Sequence, residues 1–349
     1  MKMIIFLGRD QMLSLLELET YLKSQAIRYK IISKDDTVVV MDADFNCSKV
    51  IKELGGIVKI AKVIKDFEYK GKSNKIKCAI SNYTDEDVSD LRKDLKEYFK
   101  KEGLTVTWKK SHRKQGHLDP SELKDVLEIV VYGEYIGQTL AVFDPKEHIK
   151  RDLHRPVKRP LHSISIRLAK ILLNLTESKK GRILDPFCGI GTILGEGMLL
   201  GHEMYGIDSN KTCIDGSKKN LNWLMKSYHI TGSFKLFLGD ATKMSQYVKK
   251  VDYVVTEPYM GPFLKKLPTE QEAKKTIIQL EPMYNQLLLE LKKLRVKKAV
   301  IIVPVFLCRS KRKLKLRLDF SRFEMESIPY TTPTSRLHRE ILILKPKHL

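Results

Sequence analysis

Asp185-Pro-Phe-Cys-Gly189-Ile-Gly191-Thr192-Ile193 is the stretch on which the reading of this chain turns. It follows a short strand-like run, Gly181–Leu184, and opens an apolar helical pattern, Thr192–Leu200. Glycines at the carboxyl end of a first sheet strand let the backbone approach a ligand closely, and the start of the next helix supplies free N–H donors. No Gly-Lys-Ser/Thr follows, so this is not a Walker loop. The glycines fall at 189, 191 and 195, which is not G-x-G-x-x-G either. Taken alone, the stretch fits a tight turn before a helix equally well.

Reading outward, three further features fall at successive strand ends. Met204–Ile207 runs into Asp208-Ser209, where a carboxylate can hold ribose hydroxyls. Phe234–Leu238 runs into Gly239-Asp240-Ala241, where Asp240 can accept a hydrogen bond from an adenine amine. Asp252–Thr256 runs into Thr256-Glu257-Pro258-Tyr259, beside the same crevice. Helical patterns at 164–175, Thr192–Leu200 and Thr212–Tyr228, and a long one ending near Leu294, separate these strands. Strands alternating with helices predict a parallel α/β sheet. Ala299–Val303, Phe323–Ile328 and Glu340–Leu344 are expected as later strands. Four features in register make an accidental turn a poor explanation.

The first half reads differently. Met3–Leu7, a helix around Leu13–Leu22 and Thr37–Met41 give strand, helix, strand. A second unit starts at Lys75: the strand Ile76–Ile80, then a helix expected to begin at Thr84 with Asp85, Glu86 and Asp87 in its first turn. Gly103 is expected to close that helix, with strands at Leu104–Trp108, Asp125–Val131 and Tyr135–Ala141. Gly133-Glu134 predicts a hairpin between the last two. Residues 144–160, with three X-Pro steps among charges, read as a connector.

Composition narrows the class of protein. Of 349 residues, 42% are hydrophobic and 30% charged, a globular balance. The five cysteines are scattered and never form CxxC, which argues against a zinc ribbon or a disulfide framework. Met1–Leu7 is too short an apolar run for a signal peptide, and the longest apolar run, Ala299–Cys308, is broken by Pro304. A reduced, cytoplasmic protein is expected. The net charge is +22, and +19 of it lies in residues 151–349. A polyanionic partner, nucleic acid or an anionic membrane surface, follows from that excess. A basic amphipathic helix or lipidation site for a membrane is not evident.

The order DPFCGIGT, GIDSN, GDA and then a Pro-Tyr motif resembles the Rossmann-like S-adenosylmethionine methyltransferases that modify exocyclic amines. Phe6–Glu19 is similar to the N-terminal segment of the archaeal and eukaryotic tRNA guanosine-10 N2-methyltransferases. Arg151-Asp-Leu-His-Arg-Pro156 and His162–Asn174 resemble that family's passage into its catalytic domain. The resemblance implies a C-terminal α/β Rossmann-like methyltransferase domain over 161–349 and an α+β N-terminal half: a ferredoxin-like segment over 1–54, a THUMP RNA-binding domain over 55–145 and a linker over 146–160. It implies S-adenosylmethionine as cofactor, held by Asp185, Phe187, Gly189, Gly191, Thr192, Asp208, Ser209, Asp240 and Ala241. It implies tRNA as partner, with no metal and no membrane, and a monomer is favoured.

In this family an Asp or Asn side chain and the following Pro carbonyl accept the target amine's protons, and an aromatic ring stacks on a base swung out of its helix. The usual motif is Asp-Pro-Pro-Tyr. Here the Asp position is Thr256 and the first Pro is Glu257, while Pro258 and Tyr259 remain. A Thr hydroxyl accepts a hydrogen bond but brings no charge, whereas Glu257 offers a carboxylate one position along. Three readings stay open: an amine methyltransferase using Glu257 or Thr256, one with a shifted target, and an RNA-binding protein with a vestigial pocket. A protein-glutamine or DNA-amine methyltransferase leaves the N-terminal half without a purpose.

Lys109, Lys110, Arg113 and Lys114 beside Trp108, Arg151 and Arg155 in the connector, and Arg312, Lys313 and Lys315 in Arg309–Arg317 are the candidate RNA contacts. Cations of this kind position an RNA backbone without reading its sequence. A solvated charged face is the competing explanation for either run. Cys188 is expected to pack rather than react, and no Cys or acidic residue stands at metal spacing from His112 or His117, for which surface or RNA-contact roles are expected.

Overall fold

The computed structural model describes every residue except 85, 111–116, 160–163, 332–334 and 348–349. It separates into two compact units, Met1–Arg151 and Asp152–Leu349.

The first unit is built on one eight-stranded sheet. Its elements are β1 (Lys2–Leu7), α1 (Gln11–Ser24), β2 (Tyr29–Lys34), β3 (Val38–Ala43), α2 (Cys47–Glu53) and β4 (Ile57–Val63), followed by β5 (Lys75–Asn82), α3 (Ser89–Lys101), β6 (Thr105–Trp108), β7 (Leu127–Tyr132) and β8 (Tyr135–Val142). The strand order is β2-β3-β1-β4-β8-β7-β5-β6. β1 pairs with β4 from Met3↔Lys62 to Leu7↔Ile57, so the segments 1–54 and 55–145 share a single sheet. Gly133-Glu134 forms the expected two-residue turn between the paired Tyr132 and Tyr135, with Gly133 at φ +55°.

Three expectations for this half need correction. β2, α2 and β4 add to the strand-helix-strand reading; β2 is largely exposed, and α2 has only seven residues, with Asn46 capping Lys49 N–H. α3 begins at Ser89, not Thr84. Thr84 instead gives its backbone N–H and its hydroxyl to Asn82 Oδ1, a local turn that competes with a helix start. The connector holds a helix, α4 (Pro145–His154), because proline's fixed φ and missing N–H are tolerated in a first turn.

The second unit contains α5 (Ile166–Asn174), β9 (Arg182–Asp185), α6 (Thr192–Leu199), β10 (Glu203–Asp208), α7 (Lys211–Tyr228), β11 (Phe234–Leu238), α8 (Met244–Tyr247), β12 (Tyr253–Thr256), α9 (Glu270–Lys293), β13 (Lys298–Leu307), β14 (Lys313–Lys315), β15 (Phe323–Tyr330) and β16 (Leu337–Pro346). The order β11-β10-β9-β12-β13-β16-β15 is parallel from β11 to β13 and antiparallel beyond. The chain order reverses between β9 and β12, and the crevice at that switch point is where open α/β sheets bind ligands. Ile277, Leu280, Tyr284, Leu287 and Leu291 of α9 share a core with Leu184, Ile207, Val254 and Ile301. That core fixes β9, β10 and β12 side by side, and their ends carry the candidate residues.

Candidate active site

The Gly-rich turn has the backbone its sequence implies. Gly189 lies at φ +51° and Gly191 at φ +86°, conformations that a side chain disfavours. A Cβ on Gly191 would come within 2.5 Å of Ser217 Oγ, whereas one on Gly189 would meet nothing within 4 Å. The turn is therefore packed behind and open in front. Gly189 N–H donates to Asp208 Oδ2 at 2.9 Å and Asn210 N–H to Asp208 Oδ1 at 2.8 Å, which ties the turn to the end of β10. Ser209 is exposed beside them. Asp240, also exposed, caps a short helical turn by accepting Thr242 N–H at 2.9 Å, and Ala241 is buried beneath it.

Asp185 closes β9 and is only 2% exposed. Its Oδ1 accepts the Thr256 hydroxyl at 2.7 Å and Phe187 N–H at 3.1 Å. Burial pushes this carboxyl up to about 7, against the lowering pull of those two hydrogen bonds, and nearby Asp208 and Glu257 add to the rise. Thr256 is fully buried and turned toward Asp185, so its hydroxyl braces β12 against β9.

Glu257 has a different setting. Its side chain is 17% exposed, and Arg339 Nε on β16 lies 3.6 Å from Oε1, close enough for an ion pair but too long for a hydrogen bond. Burial raises the Glu257 carboxyl, and the Arg339 cation pulls the other way. Tyr284 donates its hydroxyl to the Tyr259 carbonyl at 3.2 Å, which holds the backbone beyond Pro258. The Tyr259 ring is 58% exposed and Phe263, four residues on, 69%. Sequence reading missed Phe263, Arg339 and Tyr284; only Phe263 lies near the motif in sequence.

The basic candidates are unevenly available. Arg151 is buried and Arg155 nearly so, which removes both from ready contact with a phosphate backbone. Arg312 pairs with Glu270 at 2.9 Å and Lys315 pairs with Glu340, while Lys313 is exposed on β14. Lys109 donates to the Glu122 carbonyl at 2.6 Å; Lys110 is exposed. Trp108 packs in the first unit with Arg92 over its ring. Arg113, Lys114 and His112 lie outside the described residues. The five cysteines are buried and unpaired, and burial pushes the Cys188 thiol up, which suits packing rather than attack. Among the described residues no group of His, Cys, Asp and Glu could hold a metal, and no helix is long and apolar enough to cross a membrane.

A parallel sheet whose first strand ends in an open glycine turn, with carboxylates at the next strand ends, is a Rossmann-like nucleoside site, and similarity to known proteins places it among methyltransferases. Residues 155–325 match the family model described as RMKL-like, methyltransferase domain, which takes in Asp185, Asp208, Asp240 and Thr256–Tyr259. Residues 16–219 match a model described as DNA methylase, which stops short of β11 and β12. Among curated proteins, the tRNA (guanine(10)-N2)-dimethyltransferase of Methanothermobacter thermautotrophicus is 39% identical over 130 residues, covering 36% of each chain. That of Pyrococcus abyssi is 34% identical over 130 residues, 36% of this chain and 37% of its own. The chain thus spans little more than a third of the length of the curated relatives it matches. The crystal structure of TrmN from Thermus thermophilus superposes with a TM-score of 0.53 at 13% identity, covering 99% of this chain and all of the other, and so shares the fold. The chain belongs to the methylase family whose model spans residues 16–219, and its similarity to the tRNA (guanine(10)-N2)-dimethyltransferases extends over about a third of each chain.

The crevice fits a cationic nucleoside donor: the turn is open at Gly189, and Asp185, Asp208, Asp240 and Glu257 supply negative charge. Asp208→Ala is expected to weaken binding of S-adenosylmethionine by about 1–3 kcal/mol, the range for a hydrogen bond to a charged group. Isothermal titration of a folded variant showing unchanged affinity would take Asp208 out of the site.

Proposed function

We propose that this protein transfers a methyl group from S-adenosylmethionine to an exocyclic amine of tRNA, the guanosine 2-amino group near position 10. The observation that carries the reading is Glu257: a mostly buried carboxylate beside an exposed tyrosine, to which no hydrogen bond is seen among the described residues. A carboxylate in that position is short of donors, and an amine is a donor.

Guanine's 2-amino nitrogen is a poor nucleophile because its lone pair is delocalised into the ring. Glu257 and the Pro258 carbonyl accept hydrogen bonds from its two N–H groups, which draws the nitrogen toward tetrahedral geometry and frees the lone pair, and the proton lost after methyl transfer passes to the Glu257 carboxylate. As the nitrogen becomes positive, the Glu257 carboxylate stabilises that charge in a site with little water. Tyr259 and Phe263 present exposed rings on which a swung-out base stacks. Thr256 acts from behind by holding Asp185 and with it the register of β12 on β9. When bound, S-adenosylmethionine supplies an electrophilic methyl on a positively charged sulfur. The first unit serves as a THUMP-type RNA-binding module of a cytoplasmic enzyme.

Binding of tRNA in this account is largely electrostatic. Replacing Arg312, Lys313 and Lys315 together by Gln should lower the slope of log affinity against log salt by about one rather than three. Two of the three cations are already matched by Glu270 and Glu340. An unchanged affinity and slope in filter binding would show that the run is only a solvated surface. The catalytic assignment is tested by measuring methyl transfer to tRNA by the Glu257 variant considered in the Discussion.

A further inference from the structure

We propose that Arg155 binds the carboxylate at the amino-acid end of the methyl donor, an inference that rests on the donor reading above. Sequence alone placed Arg155 among the RNA contacts, but its side chain is only 11% exposed, a poor setting for a phosphate backbone.

The segment that carries Arg155 is fastened to the glycine turn through one side chain. Asn220 of α7 accepts Val157 N–H at 2.9 Å and donates to the Val157 carbonyl and the Ile190 carbonyl, each at 3.0 Å. Val157 and the turn are therefore held by the same amide. From this strap Arg155 Nη1 donates to Thr192 Oγ1 at 3.1 Å, at the first residue of α6, and Nη2 pairs with Asp152 at 2.8 Å. Nε is buried with no hydrogen-bond partner among the described residues. A guanidinium serving only to brace the strap against α6 would be expected to have its buried donors matched.

The charge of the crevice points to what this cation is for. Asp185, Asp208, Asp240 and Glu257 suit the sulfonium, the ammonium and the ribose hydroxyls of S-adenosylmethionine, and each would repel its carboxylate. That group needs a positive partner. Arg155 brings one to the amino end of α6, where the first-turn N–H groups also favour an anion. Asp152, its present partner, is 57% exposed and can turn into water when a better-placed carboxylate arrives.

The test uses the full-length chain and two ligands: S-adenosylmethionine and its decarboxylated analogue, titrated calorimetrically against wild type, Arg155→Gln and Arg155→Lys. Wild type should prefer the intact donor. Arg155→Gln should weaken the intact donor at least about tenfold and the analogue less than about twofold, a difference expected of a charge-assisted hydrogen bond. Arg155→Lys should recover part of the loss. Equal losses for the two ligands, or none for either, would overturn the assignment and leave Arg155 as a brace between the strap and α6. A wild-type protein that binds neither ligand overturns the donor reading itself. Thermal unfolding of each variant separates loss of fold from loss of the contact.

Discussion

Glu257→Gln is expected to lower turnover on tRNA at least about tenfold, roughly 1.4 kcal/mol in the barrier, with donor affinity almost unchanged. The substitution keeps the shape of the side chain and removes its charge. An amide oxygen can still accept one proton from the amine, but it cannot offset the positive charge that grows on nitrogen as the methyl group arrives. Arg339, 3.6 Å away in the wild type, would then face the reacting amine without its anion and make the loss larger. Thr256→Val should behave differently. It removes a hydrogen bond to the buried Asp185 and should reduce stability and donor affinity together, through the shift of β12. A fully active Glu257→Gln alongside an inactive but folded and donor-bound Thr256→Val would show that the hydroxyl, not the carboxylate, is the acceptor.

The second large effect concerns Asp185. Its carboxyl titrates near 7 in the folded chain and near 4 in an unfolded one. Between those values the folded protein holds a proton that the unfolded chain has lost. Stability therefore falls as pH rises through this window and levels off above it. Asp185→Asn keeps an oxygen for the Thr256 hydroxyl and Phe187 N–H and removes the buried charge. It should raise stability at pH 8 by roughly 4 kcal/mol and change it little at pH 4. The same variant should bind S-adenosylmethionine less tightly, because a neutral amide does not balance a cationic donor. In the wild type, donor binding near neutral pH should release a proton from Asp185, seen as a dependence of the titration heat on buffer ionisation enthalpy. A variant no more stable than wild type at pH 8 would show that burial does not burden this carboxylate. Stability given up for a charged site is a common exchange in enzymes.

Much of the second unit is legible in the sequence because its signals are local. Phe234–Leu238 and Thr192–Leu199 follow from periodicity and flanking residues, and the strand ends at Asp185, Asp208, Asp240 and Thr256 follow from them. What escapes the sequence depends on partners far along the chain. Lys59 lies in β4, a strand the sequence pattern does not announce, and is buried against Glu128 of β7. Arg339 meets Glu257 only because β16 doubles back on β13, and Arg155 reaches α6 only because Asn220 holds the strap. β2 is hard to see because only Tyr29 and Ile31 of this short edge strand face the core, among lysines and an exposed Ile32. The misplaced start of α3 has a local cause, since Asn82 and Thr84 form a turn whose residues also suit a helix cap.

The most direct test of the central claim is mass spectrometry of nucleosides from bulk tRNA incubated with the protein and S-adenosylmethionine labelled in its methyl group. Label is expected in N2-methylated guanosine, mapped near position 10 and much reduced with Glu257→Gln. Label on another base or ring position, or none from a protein that binds both donor and tRNA, would contradict it.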